Sequence, residues 1–148
     1  MKKLFLIISV SLILCGCPDN GDSIEYKYSI VNNSGKTIEI IPFFTNVKDI
    51  SNKILITNGN RLEKKLISDP PYNSDLSMKK IISSNGNLTG VEIAFNNEKK
   101  ILYNICNDFI CNNPRNIFDY INNNEQTETY IITPEDYQNA VDCGGNCN

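Results

Sequence analysis

The strongest constraint on the fold is an alternation of apolar and polar residues, broken at short intervals by turn-forming residues. Along residues 91–95, Val91, Ile93 and Phe95 point one way; along residues 100–106, Ile101, Tyr103 and Ile105 do the same. A period of two sends successive side chains to opposite faces of a strand. Asn96-Asn97-Glu98-Lys99 lies between the two segments, which predict a hairpin with one buried face. Residues 24–31 repeat the pattern, with Ile24, Tyr26, Tyr28 and Ile30 opposite Glu25, Lys27 and Ser29. Asn32-Asn33-Ser34-Gly35 is a turn cluster, and residues 36–44 (KTIEIIPFF) are β-branched and aromatic. The two segments predict an opening hairpin. Pro42 has no N–H for a ladder, so its strand is expected to end there or to lie at an edge.

Residues 53–57 (KILIT) predict a short strand, Asn58-Gly59-Asn60 carries a strong hairpin signal, and residues 61–67 (RLEKKLI) answer it. The last segment also has helical spacing. Residues 68–75 form a loop around Pro70-Pro71, residues 76–83 (LSMKKIIS) fit helix or strand, and Asn85-Gly86-Asn87 is a further turn. After Cys111 the character changes. Asn113-Pro114 is a cap followed by proline at the first helical position, and Ile117, Phe118 and Ile121 share one helical face. A short helix over 114–121 is therefore expected. Residues 127–132 (TETYII) read as a last strand. Thr133-Pro134-Glu135-Asp136 repeats the cap-then-proline order, with acids where the helix dipole favours them. It opens a second helix reaching about Val141. The fold class that follows is mainly β: an antiparallel sandwich or small barrel of short strands with two short C-terminal helices.

Ahead of this domain lies a different kind of sequence. Met1-Lys2-Lys3 is basic, and residues 4–14 (LFLIISVSLIL) are apolar or small and uncharged. Eleven such residues cannot span a hydrocarbon core, which takes roughly 20 in a helix. A basic start, a short apolar run and a small residue before the cut describe an export signal. Leu14, Cys15, Gly16 and Cys17 resemble the lipobox of bacterial lipoproteins: an aliphatic residue, a small one, Gly or Ala, then Cys. The resemblance covers the first 17 residues. It implies that residues 1–16 are a cleaved signal peptide and that the Cys17 thiol carries a diacylglyceryl group. Cys17 is then the first residue of the mature chain, with an amine that is usually acylated. Two or three acyl chains make such an attachment stable, where one holds only marginally. Residues 17–23 read as lipidated Cys and flexible tether, and residues 24–148 as a single β-rich domain. The expected location is the cell envelope. Pro18 stands where the inner-membrane retention signal of this class has Asp, which points to the outer membrane.

Cleavage removes Lys2 and Lys3, leaving 12 basic against 17 acidic residues, a net charge of −5. A scattered acidic surface argues against nucleic acid as a partner. Histidine is absent, which removes Ser-His-Asp, Cys-His and His-zinc chemistry together. Of six cysteines, Cys15 leaves with the signal and Cys17 is taken by lipid. Cys106, Cys111, Cys143 and Cys147 remain as disulfide candidates, with three connectivities open. A four-thiolate zinc site is the rival; an oxidising compartment favours bridges. Long-range bridges would staple the tail near Cys106, with Gly144-Gly145 giving it freedom to bend. No cofactor is expected. Asp119, Glu125, Glu128, Glu135 and Asp136 make the C-terminal third acidic without an EF-hand ligand pattern, and read as a solvated face or helix caps. Tyr26, Tyr28, Tyr103, Phe43, Phe44 and Phe95 read as core before groove. Asp69-Pro70-Pro71-Tyr72 reads as a stiff turn before a recognition loop. The expected function is a membrane-anchored envelope lipoprotein, a non-enzymatic binding or structural module for an unknown protein or glycan. The alternative is an envelope hydrolase using carboxylates or an activated Ser, which requires a concave pocket with two carboxylates at working distance.

Overall fold

A computed structural model of the chain describes residues 21–106 and 111–147. Leu14, Cys15, Gly16 and Cys17, with the lipidation expected at Cys17, lie outside the described residues. Strand β1 (Ile24–Asn32) is the centre of a three-stranded sheet, antiparallel to β5 (Arg61–Ser68) and parallel to β8 (Thr127–Ile132). In the second sheet, β2 (Ile38–Phe44), β6 (Leu88–Phe95), β7 (Lys99–Asn104) and β9 (Val141–Asp142) follow in spatial order. The short strands β3 (Val47–Lys48) and β4 (Ile54–Ile56) share the other edge of β2. The fold is mainly β, two curled and largely antiparallel sheets with two short helices, α1 (Met78–Ile82) and α2 (Pro134–Asn139). Tyr28, Ile30, Ile38, Ile93, Phe95 and Tyr130 are at the heart of the core. Among the described residues, no helix is long and apolar enough to cross a membrane.

The hairpin expected around Asn96-Asn97 is present: Val91 opposes Tyr103 and Ile93 opposes Ile101. Asn96 and Asn97 take φ of +49° and +60°, a left-handed turn that asparagine tolerates. The other two expected hairpins are corrected. β1 and β2 lie in different sheets, and so do β4 and β5. The pairs that form are β1 with β5 and β2 with β4. The chain from Ile24 to Ser68 is thus one long ribbon, folded over so that each half enters a different sheet. Asn32 clamps the bend. It is wholly buried, and its Nδ2 donates to the carbonyls of Lys36 and Ile56 at 2.8 Å each. Its Oδ1 accepts from the backbone N–H and the hydroxyl of Ser34, and its own backbone bonds to Gly59 and Asn60. One side chain therefore satisfies backbone groups that both strands lose on turning the corner.

Pro42 does not end β2 and does not lie at an edge of the sheet. It faces Val91 of β6 on one side, and its carbonyl accepts from Asp49 N–H on the other. A strand residue aims its N–H and C=O to the same side. The missing proline donor therefore falls in the gap between β3 and β4, where no ladder bond is needed.

The helix expected over 114–121 is replaced by three successive turns. Asn113 Oδ1 accepts from Arg115 N–H, Asn116 Oδ1 from Phe118 N–H, and Asp119 Oδ1 from Ile121 N–H. The backbone closes behind each, from Asn116 to Asn113, Asp119 to Asn116 and Asn122 to Asp119. Asx side chains every third residue capture the N–H groups a helix would use. Only a 3₁₀ turn at Tyr120–Asn122 remains. The first helix therefore sits elsewhere, at α1, in the segment 76–83 whose sequence fits helix or strand. Its cap is Ser77, and Asn123 Oδ1 takes the Met78 N–H at 2.8 Å. Only α2 is C-terminal. It carries the expected cap as a full capping box between Thr133 and Asp136.

Candidate functional site

Three grooves that share lining residues lie around α1, and the first of them separates β5 from β2 and the β3–β4 connection. The first, about 560 Å³, has Lys64 of β5 and Ile81 and Ile82 of α1 on one side, and Pro42, Phe44 and Asp49 on the other. The second, about 290 Å³, shares Lys64 and Lys80 with it and adds Leu66 and Leu76. The third, about 650 Å³, shares Asp75 and Leu76 with the second and runs between Tyr26 and the loop Asn123–Thr127. Together they make one open trough that passes across α1 to the start of β1.

Local sequence explains its walls. Asp49 caps the 3₁₀ turn Ile50–Asn52, accepting from the hydroxyl and N–H of Ser51 and from the amide and N–H of Asn52. The Ser51 hydroxyl and then the Asn52 amide hold its carboxyl below the usual carboxylate range. Lys80 Nζ pairs with the Asp75 carboxylate and donates to the Asp75 carbonyl. Tyr28 donates its hydroxyl to the Glu125 carbonyl at 2.8 Å. Burial, then the nearby Glu128 carboxylate, pushes its phenol up to about 12. Lys64 differs from these. Its Nζ donates to the Lys80 carbonyl at 3.3 Å, and no carboxylate among the described residues pairs with it.

The β5 backbone adds a second feature. Arg61, Glu63, Lys65 and Ile67 alternate with the residues that bond to β1, so their N–H and C=O groups face outward. Among the described residues no strand pairs with this side of β5.

The remaining sequence-derived candidates lie apart. Cys106 bonds to Cys111 and Cys143 to Cys147, with Cα separations of 5.3 and 5.2 Å. Both bridges are local, which corrects the long-range staple. The tail is held instead by Asn97, which accepts from Cys147 N–H at 2.8 Å and donates to the Gly145 carbonyl at 2.7 Å. Gly144 and Gly145, at φ of +64° and +80°, turn the chain back on itself. The five acids of the C-terminal third do not converge, and no group of three possible metal ligands occurs among the described residues. Asp119 caps a turn and also accepts from Cys111 N–H. Glu128 accepts from Glu125 N–H. Asp136 is buried and fully engaged: both oxygens meet Arg115, at 3.0 and 2.5 Å, and one also takes the Thr133 N–H at 2.7 Å. Of the aromatics, Tyr28, Tyr103 and Phe95 are core, while Tyr26, Tyr28 and Phe44 reach the trough. Tyr72 donates to the Asp22 carbonyl, and Ser23 Oγ to Asp69, so the loop after β5 holds the start of the domain.

Two charged residues carry no signal of their role in sequence. Glu92, on a strand read as apolar-inward, is buried between Lys48 and Lys100 at 2.6 and 3.3 Å. Lys64 sits in a segment whose spacing also suits a helix; only its pairing with Tyr28 of β1 turns it towards the trough. No protein-family model, curated protein or solved structure matches this chain.

Proposed function

We propose that the chain is an exported lipoprotein, held at the cell envelope through lipid on Cys17, whose β domain is a non-enzymatic binding module. The trough between β5 and the β3–β4 edge is its binding face. The reading is carried by what the trough's charged side chains do. Asp49 caps a turn, and Asp75 and Lys80 pair with each other, so these groups shape a wall. A hydrolase would instead leave two carboxylates open to one substrate; of the two that line the third groove, Asp75 and Glu125, the first is tied to Lys80. The anchor adds a geometric consequence. Asp22 is tied to the domain through Tyr72, and it lies five residue steps from Cys17. Five steps reach at most about 18 Å, so the domain stays close to the lipid surface. Pro18 after the lipidated Cys favours the outer membrane over the inner.

The test is a Cys17→Ala variant followed by metabolic lipid labelling and fractionation. The wild type is expected to take up label and sediment with membranes, and the variant to do neither. A wild type free of lipid, or a variant that stays on the membrane, overturns the anchor. For the module, envelope extract is passed over the immobilised chain and over a Lys64→Glu chain. A species retained by the first and lost by the second assigns the trough as the binding face. Turnover of a glycan or ester substrate by the purified chain overturns the non-enzymatic reading.

A further inference from the structure

We propose that β5 and the trough together accept an extended polypeptide segment of a partner protein, added as a fourth strand, with an acidic residue opposite Lys64. The inference deepens the binding-module reading and rests on it. The three-stranded sheet ends at β5, an eight-residue strand with outward-facing N–H and C=O at Arg61, Glu63, Lys65 and Ile67. Strand addition uses such an edge: main-chain bonds hold the peptide, and alternate side chains enter pockets beside it. Here the pockets exist. The residues between the outward-bonding ones are Leu62, Lys64 and Leu66, and both Lys64 and Leu66 line the trough. An added strand lays its inward side chains along this row, over Ile81, Ile82 and Phe44.

The row also sets the chemistry of the occupant. Leu62 and Leu66 flank Lys64, an amine with no carboxylate partner among the described residues, so the complementary strand reads apolar, polar, acidic, polar, apolar. In antiparallel addition the residue facing Lys64 is a non-hydrogen-bonded neighbour, where side chains approach most closely. Opposite charges there stabilise the pair, and like charges do the reverse. The same rule disfavours a second copy of this chain. A two-fold register centred on Lys64 pairs Glu63 with Lys65 but sets Lys64 against itself. The neighbouring registers set Glu63 or Lys65 against itself. Lysine at an edge discourages self-pairing in this way while leaving the edge open to an acidic strand.

The experiment uses the full chain in detergent micelles and a capped heptapeptide, TVTETVT, as probe. Amide hydrogen exchange is expected to slow at Glu63, Lys65 and Ile67 when the peptide is added. The peptide TVTKTVT is expected to bind about fivefold more weakly, and Lys64→Glu to reverse that preference. Unchanged exchange at these three amides overturns the proposal. So does equal binding of both peptides, and so does slowing that rises with protein concentration and needs no peptide, which is the mark of a second copy. Intact mass of the same sample reads the lipid on Cys17. Failure of the anchor is thereby seen separately from failure of the strand site.

Discussion

The two flanks of the sandwich are built on the same plan and finished differently. On one, β8 and β7 are bridged by the segment around Arg115 and Asn116. Arg115 Nη2 donates to the outward-facing carbonyl of Ile131, Tyr130 donates to the Arg115 carbonyl at 2.6 Å, and Asn116 Nδ2 reaches the Asn104 carbonyl. On the other, β5 faces the β3–β4 edge across the trough, and α1 fills only part of the gap. Both flanks carry a cation at the edge. Arg115 has a buried carboxylate waiting for it, whereas Lys64 has a carbonyl and open space. An edge is closed when its polar groups are answered from within the chain; left unanswered, it is available to another chain.

The closed flank carries the largest expected effect. Arg115→Ala leaves the buried Asp136 carboxylate with only Thr133, and is expected to cost about 3 kcal/mol in urea unfolding. A loss below about 1 kcal/mol would mean that the flank is closed by packing and not by the ion pair. Asn32→Ala tests whether the open flank is weak throughout or only at the trough. It strands the buried carbonyl of Ile56 and leaves that of Lys36 with only the Ser34 hydroxyl, and a loss of about 2 kcal/mol is expected from the same measurement. Alkaline pH comes next. The Tyr28 phenol is pushed up to about 12 by burial, above its usual value of about 10. Its stabilising share is complete below pH 10 and is lost as pH rises towards 12. Urea midpoints should therefore fall over that window, and Tyr28→Phe should make the fall shallower, the buried Tyr103 and Tyr130 phenols, also pushed up by burial, supplying the rest. Smallest of all, Lys64→Ala is expected to change stability by no more than about 0.5 kcal/mol, since the side chain supports no buried group. A larger loss would make Lys64 part of the scaffold and remove it from the binding face.

The same contrast runs through what the amino-acid sequence discloses. The β6–β7 hairpin is legible because its alternation and its Asn-Asn turn agree. The α2 cap is legible because Thr133, Pro134 and Asp136 act within one turn. Asn58-Gly59-Asn60 announces a reversal but not its partner, and the partner of β5 turns out to be β1. Cap-then-proline misleads at Asn113, because the Asx spacing of three through Asn116 and Asp119 offers the backbone a nearer set of acceptors. The trough is less legible still. It is lined by residues from β2, β5 and α1, and no local pattern places Lys64 beside Leu66 and Ile81.

Because a single ribbon supplies β1 and β5 to one sheet and β2 and β4 to the other, the two layers cannot choose their registers separately. A slip of one residue at the bend would turn Tyr28 and Ile30 outward in the first sheet and Ile38 and Ile40 outward in the second at the same moment. The penalty for a misaligned strand is thus charged in both layers, and the clamp on Asn32 keeps the two halves of the protein in step as they form.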